Sequence, residues 1–463
     1  MSRILFAVQS VAHAKGFERT LLRLAERGHA VRMAIERSGA TPLPPLLSTH
    51  GGISLTALPS RRNDQWRDSI VGVRGFRSYL RYLAPRFEHA EKLRKRALLG
   101  FIKTASDGAL TQIAATCGPC GRELKNDKLA YMLEGLGQDG LNALETLFRT
   151  AEEDIPSDPD FDAFLSREQP DAVVVSPLVA LESGQADLVK SARALGMPSA
   201  MPVASFDSLS SEGLVTEIPD KVFAWNERQA REAVELHGVP CDRVTITGAP
   251  QFDAFFDEHP ARSRNAFCMA YGFDSRMPVL AYLGSSEFVA KDESVFVGRW
   301  IDAVRRHPLL GECSIVIRPH PRARRTWDDY APPPRVALAR IKDRHDHGEL
   351  HDVLCHSNVV VALNTGAYFE AAILGKPVFT ILAPEYAGGQ EQTLHFHYLL
   401  RDKGGFVEPA ASLDVHLEQL AGALASPPRS GHLEQHVQRF LRPGGLAQPA
   451  SHLLADAIES LAG

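Results

Sequence analysis

At 463 residues, with 44% hydrophobic and 23% charged side chains, the chain has an ordinary globular composition over more length than one core takes, and roughly 150 residues per domain gives two to four domains. A formal net charge of −5 excludes a global attraction to nucleic acid or to an anionic membrane, so any polyanion site must be local. No apolar run approaches the roughly 18 residues of a membrane span, no basic leader precedes the apolar residues at 4–8, and six cysteines lie scattered in apolar segments, so a cytoplasmic protein with reduced core thiols is expected.

In chain order, residues 3–9 read as a short buried strand and residues 17–27 as a helix, with Leu21, Leu22 and Ala25 on one face. Gly28 ends the helix and a second strand follows, making a βαβ opening. The intervening loop, residues 10–16, lies at the carboxyl end of the first strand, where open α/β sheets bind ligands, and it holds His13 and Lys15. A loop histidine is usually solvated; in a cleft, an imidazole with its ordinary pKa near 6.5 suits a general base. Residues 69–155 then change to long polar–apolar helical patterns and are read as a helical insertion that caps a cleft or carries an acceptor site. The charge run at 92–96 reads as a solvated helix face. Cys117 and Cys120 have redox-motif spacing but follow a helical stretch, so a turn or an adventitious metal site is the plainer reading.

The α/β rhythm returns with strands at 171–176 and 199–204, a helix at 186–195 between them, and a strand-end loop at 205–213 holding Asp207 and Glu212. A strand at 221–225, a helix at 227–237 and a strand at 243–247 follow, and Gly248-Ala-Pro250 stops the last one, which places a domain boundary at 256.

The second half opens with a buried strand at 278–284 that closes on Gly284, Ser285 and Ser286. After a helix comes a strand at 314–318 and a basic cluster in which Arg318 and His320 leave the strand end with flanking prolines fixing the backbone. An arginine and a histidine aimed at a phosphate turn suit leaving-group stabilisation; a plain surface basic patch is the alternative. The most informative stretch is 358–381. An unbroken apolar run, a Thr365–Gly366 turn, a helix at 367–374, Gly375, Pro377 and a second apolar run together read as βαβ. Such a turn presents amides and a helix N-terminus to an anion, and Glu370 is placed to accept from ribose hydroxyls. The alternative reading makes Thr365 an N-cap and Glu370 a dipole-favoured first-turn acid.

Four stretches carry a family resemblance: the Arg27-Gly28-His29 helix end, the strand that runs into Gly248-Ala249-Pro250-Gln251-Phe252-Asp253, the Ile317-Arg318-Pro319-His320-Pro321 segment, and Thr365-Gly366 with Glu370, Gly375 and Pro377. Together they resemble GT-B glycosyltransferases: α/β, two Rossmann-like domains facing across a cleft, with a helical insertion in the first. The last pattern is similar to that of UDP-N-acetylglucosamine 2-epimerases, and the Arg318–His320 segment is similar to CDP-glycerol glycerophosphotransferases. The resemblance implies an acceptor domain at 1–256, a donor domain at 257–445 and a terminal helix at 446–463 that crosses back to the first domain. It implies an inverting glycosyltransferase of polysaccharide or glycoconjugate synthesis, with 2-epimerisation and phosphopolyol transfer as the other activities. Thr365 and Gly366 would hold the donor diphosphate, Glu370 the ribose, Gly284, Ser285 and Ser286 the phosphate from an opposing turn, and Arg318 with His320 the leaving-group charge. His13 or Asp207 would deprotonate the acceptor. The partners implied are a nucleotide-sugar and a glycan, lipid-linked or small-molecule acceptor, with peripheral membrane contact compatible and nucleic acid excluded; no cofactor and no metal are expected.

Overall fold

The computed structural model describes residues 1–37, 42–104, 133, 135–181, 183–321, 327–339, 348–426 and 431–463. It divides into two compact units, residues 1–253 with 440–463, and residues 254–439. Cys117, Cys120 and the distal part of the basic cluster, Arg322 to Arg325, lie outside the described residues.

The first unit is built on seven parallel strands: β1 (Arg3–Ser10), β2 (Ala30–Arg37), β3 (Ile53–Thr56), β4 (Ala172–Ser176), β5 (Ser199–Pro202), β6 (Lys221–Ala224) and β7 (Val244–Ile246). Their order is β3-β2-β1-β4-β5-β6-β7, so the winding reverses between β1 and β4, the switch point at which such sheets open a crevice. Apolar runs such as Ile4–Val8 and Val173–Val175 are buried on both faces because helices cover both sides of a parallel sheet. The C-terminal helix Ala450–Ala462 belongs to this unit, and its Leu454, Ala455 and Ile458 share one apolar cluster with Ile4, Phe6 and Leu21. Asp253 fixes its start. The fully buried carboxylate accepts from Arg442 Nε (3.0 Å) and Nη2 (2.8 Å) and from the amides of Ala450 (3.1 Å) and Ser451 (2.7 Å). The clasp keeps Arg442 in the first unit and sets the second crossing at 439–440 rather than at 445.

Within the insertion, helices Arg67–Arg81, Glu91–Thr104 and Gly137–Asp154 enclose a cluster of Phe76, Tyr79, Leu80, Leu98, Phe101 and Leu141. Buried charges dock it on the sheet unit: Arg74 donates to Glu152 (2.6 Å) and to Asp187 (2.9 Å) on the helix Gln185–Ala194.

The second unit carries six parallel strands, β8 (Val279–Leu283), β9 (Ser314–Arg318), β10 (Val336–Leu338), β11 (Val359–Ala362), β12 (Val378–Ile381) and β13 (Val407–Ala410), ordered β10-β9-β8-β11-β12-β13. Its switch point lies between β8 and β11. Leu283 is the register partner of both Arg318 and Ala362, so β8, β9 and β11 end level and the turns that follow them emerge side by side.

The structure corrects several sequence expectations. The segment after β1 is the short helix Val11–Gly16, not a loop, and the segment 205–213 contains the helix Ser208–Ser211. The helix after the Thr365–Gly366 turn is Tyr368–Ile373, only six residues, too short for a substantial macrodipole. Of the thiols, Cys268 and Cys313 are buried, but Cys241 is exposed. Among the described residues no helix is long and apolar enough to cross a membrane.

Candidate active site

The level strand ends of the second unit bring eight of the ten expected site residues, from three separate stretches of sequence, into one neighbourhood. Gly284, Ser285 and Ser286 follow β8, Arg318 and His320 end and follow β9, and Thr365 follows β11. Gly366 completes that last turn, and Glu370 lies in the first turn of the helix behind it. Gly284 is required by close approach: a β-carbon there would lie 2.7 Å from the His320 backbone nitrogen and 2.9 Å from Glu293 Oε1. Its N–H donates to the Arg318 carbonyl at 2.7 Å, which locks the β8 turn to the β9 end.

Arg318 is buried, and His320, Thr365 and Gly366 are half-buried. Thr365 Oγ1 accepts from the Ala367 amide at 3.4 Å, the contact of an N-cap-like turn. Glu370 is half-buried, and its Oε2 is shielded from solvent without a hydrogen-bond partner among the described residues. Desolvation pushes its pKa up to about 7; its own backbone amide and the positive charge of Arg318 act against that rise, and Glu258 adds to it.

Ser285 is the exception. It is fully buried, its N–H donates to Glu293 Oε1 at 2.6 Å, and its Oγ accepts from the Asn364 amide at 3.3 Å. Its N–H and its Oγ both bond inside the fold, so Ser285 braces the turn. The bracing residues Glu293, Asn364 and Gln390 were not anticipated. Gln390, also fully buried, donates from Nε2 to the Leu363 and Ile381 carbonyls at 2.8 and 3.0 Å, tying the end of β11 to that of β12. In the sequence, Glu293 reads as a first-turn acid of the next helix and Gln390 as a loop polar residue, and no spacing distinguishes them.

The remaining two expected residues lie in the first unit. His13 sits in the helix Val11–Gly16 after β1, with its Nδ1 2.9 Å from Ser10 Oγ. Asp207 sits after β5 at the start of the helix Ser208–Ser211, where its Oδ1 accepts from Ser205 (2.5 Å) and its Oδ2 from Ser211 (3.2 Å). With β4 between β1 and β5, the two are not adjacent in the sheet. A cavity of about 350 Å³ at the carboxyl ends of β1 and β2 is lined by Gln9, Arg37, Tyr82, Arg96, Val179 and Glu212, so the insertion supplies one wall. A larger one, about 810 Å³, reaches Arg193, Glu217, His237 and Arg243, away from those ends.

No family model matches the sequence, and no curated protein matches it. Solved structures do match along the whole chain. The UDP-GlcNAc 2-epimerase from Methanocaldococcus jannaschii is 12% identical with a TM-score of 0.51, covering 99% of this chain and 99% of that one. The UDP-GlcNAc 2-epimerase from Neisseria meningitidis, bound to UDP-GlcNAc, is 14% identical with a TM-score of 0.50, covering 99% and 100%. A glycosyltransferase from Rickettsia africae is 8% identical with a TM-score of 0.53, covering 99% and 98%. At these identities the likeness is one of fold, and with two parallel sheets each wound about a β1/β4-type switch point, the chain has the α/β GT-B fold.

Proposed function

We propose that the protein is a metal-independent glycosyltransferase that moves a sugar from a nucleotide-sugar donor to an acceptor hydroxyl, in the synthesis of a polysaccharide or glycoconjugate. The observation that carries the donor half is the Glu370 carboxyl, shielded and short of a partner, beside the buried Arg318 and the turn at 365–366. Ribose hydroxyls donating to Glu370 would satisfy its orphan oxygen, while Arg318 and the turn amides take the diphosphate. The Neisseria protein, whose structure holds UDP-GlcNAc on the same fold, supports a nucleotide-sugar as the ligand class.

In this reading Arg318 stabilises the charge that develops as the nucleoside diphosphate departs, a task that a fixed guanidinium in a desolvated site can perform without a metal ion. His320 and Ser286 are the further phosphate contacts, with Ser285 behind them. The acceptor belongs to the first unit. We take His13 as the base and Asp207 as its rival; both Asp207 oxygens accept serine hydroxyls, and His13 Nδ1 lies 2.9 Å from Ser10 Oγ.

Incubation with UDP-, GDP-, TDP- and CDP-activated donors, followed by product analysis, tests the reaction class. Free nucleoside diphosphate is the expected product. Free CMP would assign phosphopolyol transfer instead, and an intact nucleotide-sugar with an altered sugar would assign epimerisation.

A further inference from the structure

The donor turns rest on a carboxyl that the reaction as described does not use. Glu293 lies at the amino end of the helix Ser294–Arg306 and is 2% exposed. Its Oε1 accepts the Ser285 N–H at 2.6 Å and its Oε2 accepts the Tyr282 hydroxyl at 3.1 Å. Ser285 Oγ accepts the Asn364 N–H at 3.3 Å, and Asn364 Nδ2 donates to the Gly389 carbonyl at 2.7 Å. One carboxyl therefore holds the turn after β8 and, through Ser285, the turn after β11, because Asn364 directly precedes Thr365. Gly284 leaves no slack between them, since any β-carbon there would meet Glu293 Oε1 and the β9 end together.

A negative charge placed directly behind a turn that receives a diphosphate opposes the ligand. Among the described residues, the titratable groups that face Glu293 are Tyr282 from β8, its chain neighbour Asp292, Tyr368 from the helix after β11 and Tyr386 from the segment Pro384–Gly389; Asp292 is of the same sign. Across the turn, Arg318 acts on Glu370. The Ser285 and Tyr282 donors favour the ionised form of Glu293 and burial opposes it, yet the neutral form keeps both contacts. Its carbonyl oxygen accepts from Ser285, and its hydroxyl donates to the Tyr282 oxygen, because a phenol both donates and accepts.

We propose that Glu293 is the positioning residue of the phosphate turns and takes up a proton from solvent when a nucleotide-sugar diphosphate seats on them, so that donor binding is linked to protonation. The inference rests on the nucleotide reading given above. Burial, the largest influence, already pushes the Glu293 carboxyl up to about 7, so the ionised fraction near neutrality is large enough for the uptake to be counted.

Titration calorimetry of the full chain with UDP-N-acetylglucosamine, GDP-mannose and CDP-glycerol, at about pH 7.5 in buffers of differing ionisation enthalpy, counts the protons, because the phosphates of these ligands are diesters that do not titrate there. Expected, with whichever ligand binds, is a count more positive by a fraction of a proton in wild type than in Glu293→Gln, where Glu370 contributes alone and binding is retained. Tyr282→Phe, which removes a donor to the ionised form, should move the pH of half-maximal uptake upward. An equal proton count in wild type and Glu293→Gln, whatever Glu370 adds to both, overturns the assignment of Glu293 and leaves the nucleotide reading standing. No saturable binding of any of the three overturns both. If Glu293→Gln does not fold, an unmoved midpoint in Tyr282→Phe overturns the assignment.

Discussion

Arg318 is the residue whose place in the reaction is most open to a direct kinetic test. Its charge gains most from contact as the diphosphate departs, so Arg318→Ala should lower kcat on the order of a hundredfold while leaving donor affinity much less changed. Steady-state rates and donor Kd measured together check this, and a raised KM with normal kcat would show that Arg318 only positions the ground state. On the acceptor side, His13→Ala should abolish transfer while nucleotide binding survives, because the donor contacts lie in the other unit. Near-normal transfer in His13→Ala with loss in Asp207→Ala would reverse that choice. Residue by residue, the sequence exposed the turn residues and the charged groups near them, since Gly, Pro and strand-end Arg and His signal themselves locally. It did not expose Ser285 as a brace, because that depends on Glu293, eight positions away, folding back under the turn, a contact that no local pattern encodes.

At the scale of elements, the central strands were legible and three edges were not. β1, β4, β8, β9 and β11 are buried apolar runs, whereas β3 (Ile-Ser-Leu-Thr), β10 (three residues) and β13 (Val-Glu-Pro-Ala) are short and partly exposed. Each flanks its sheet on one side only, so burial does not demand a continuous apolar run, and Pro409 is tolerated in β13 because an edge strand has a free side. The role of Asp253 was equally hidden. In sequence it ends a boundary motif; in the fold it holds Arg442 and caps the C-terminal helix. Asp253→Ala leaves the buried guanidinium without its counter-ion and two amides without an acceptor, and should destabilise the first unit by about 3–5 kcal/mol. Denaturant unfolding checks this, and a loss below about 1 kcal/mol would mean that water replaces the carboxylate.

For the whole molecule, two buried carboxyls set an unusual pH response. Glu293 and Glu370 are both raised to about 7 from an ordinary value of 4.5, so the native state binds protons that the unfolded chain has released. Their contribution is complete below about pH 4.5 and is lost as pH rises through 7, by at most about 3 kcal/mol each. Paired carboxylates such as Asp64, Glu152 and Glu168 are lowered, and their contribution is lost only in more acidic solution. Burial also holds His237, His416 and His436 below their ordinary 6.5, and their contribution is lost as pH falls through that value, so the opposing trends place the stability maximum between about pH 6 and 7, and Glu293→Gln should remove its share of the loss between about pH 4.5 and 7. Denaturation midpoints against pH measure it, and an unchanged profile in that variant would remove Glu293 from the cause.

The nucleotide assignment itself turns on Glu370, whose orphan oxygen is the feature that a ribose would satisfy. Burial disfavours the ionised Glu370 by more than its own backbone amide and Arg318 favour it, so Glu370→Ala should be at least as stable as wild type at about pH 8. Calorimetric titration of both proteins with the donor nucleotide should show affinity weakened by about 1–3 kcal/mol in Glu370→Ala, the cost of losing hydrogen bonds to a charged group. Equal affinity in the two proteins would contradict the placement of the nucleotide at the ends of β8, β9 and β11.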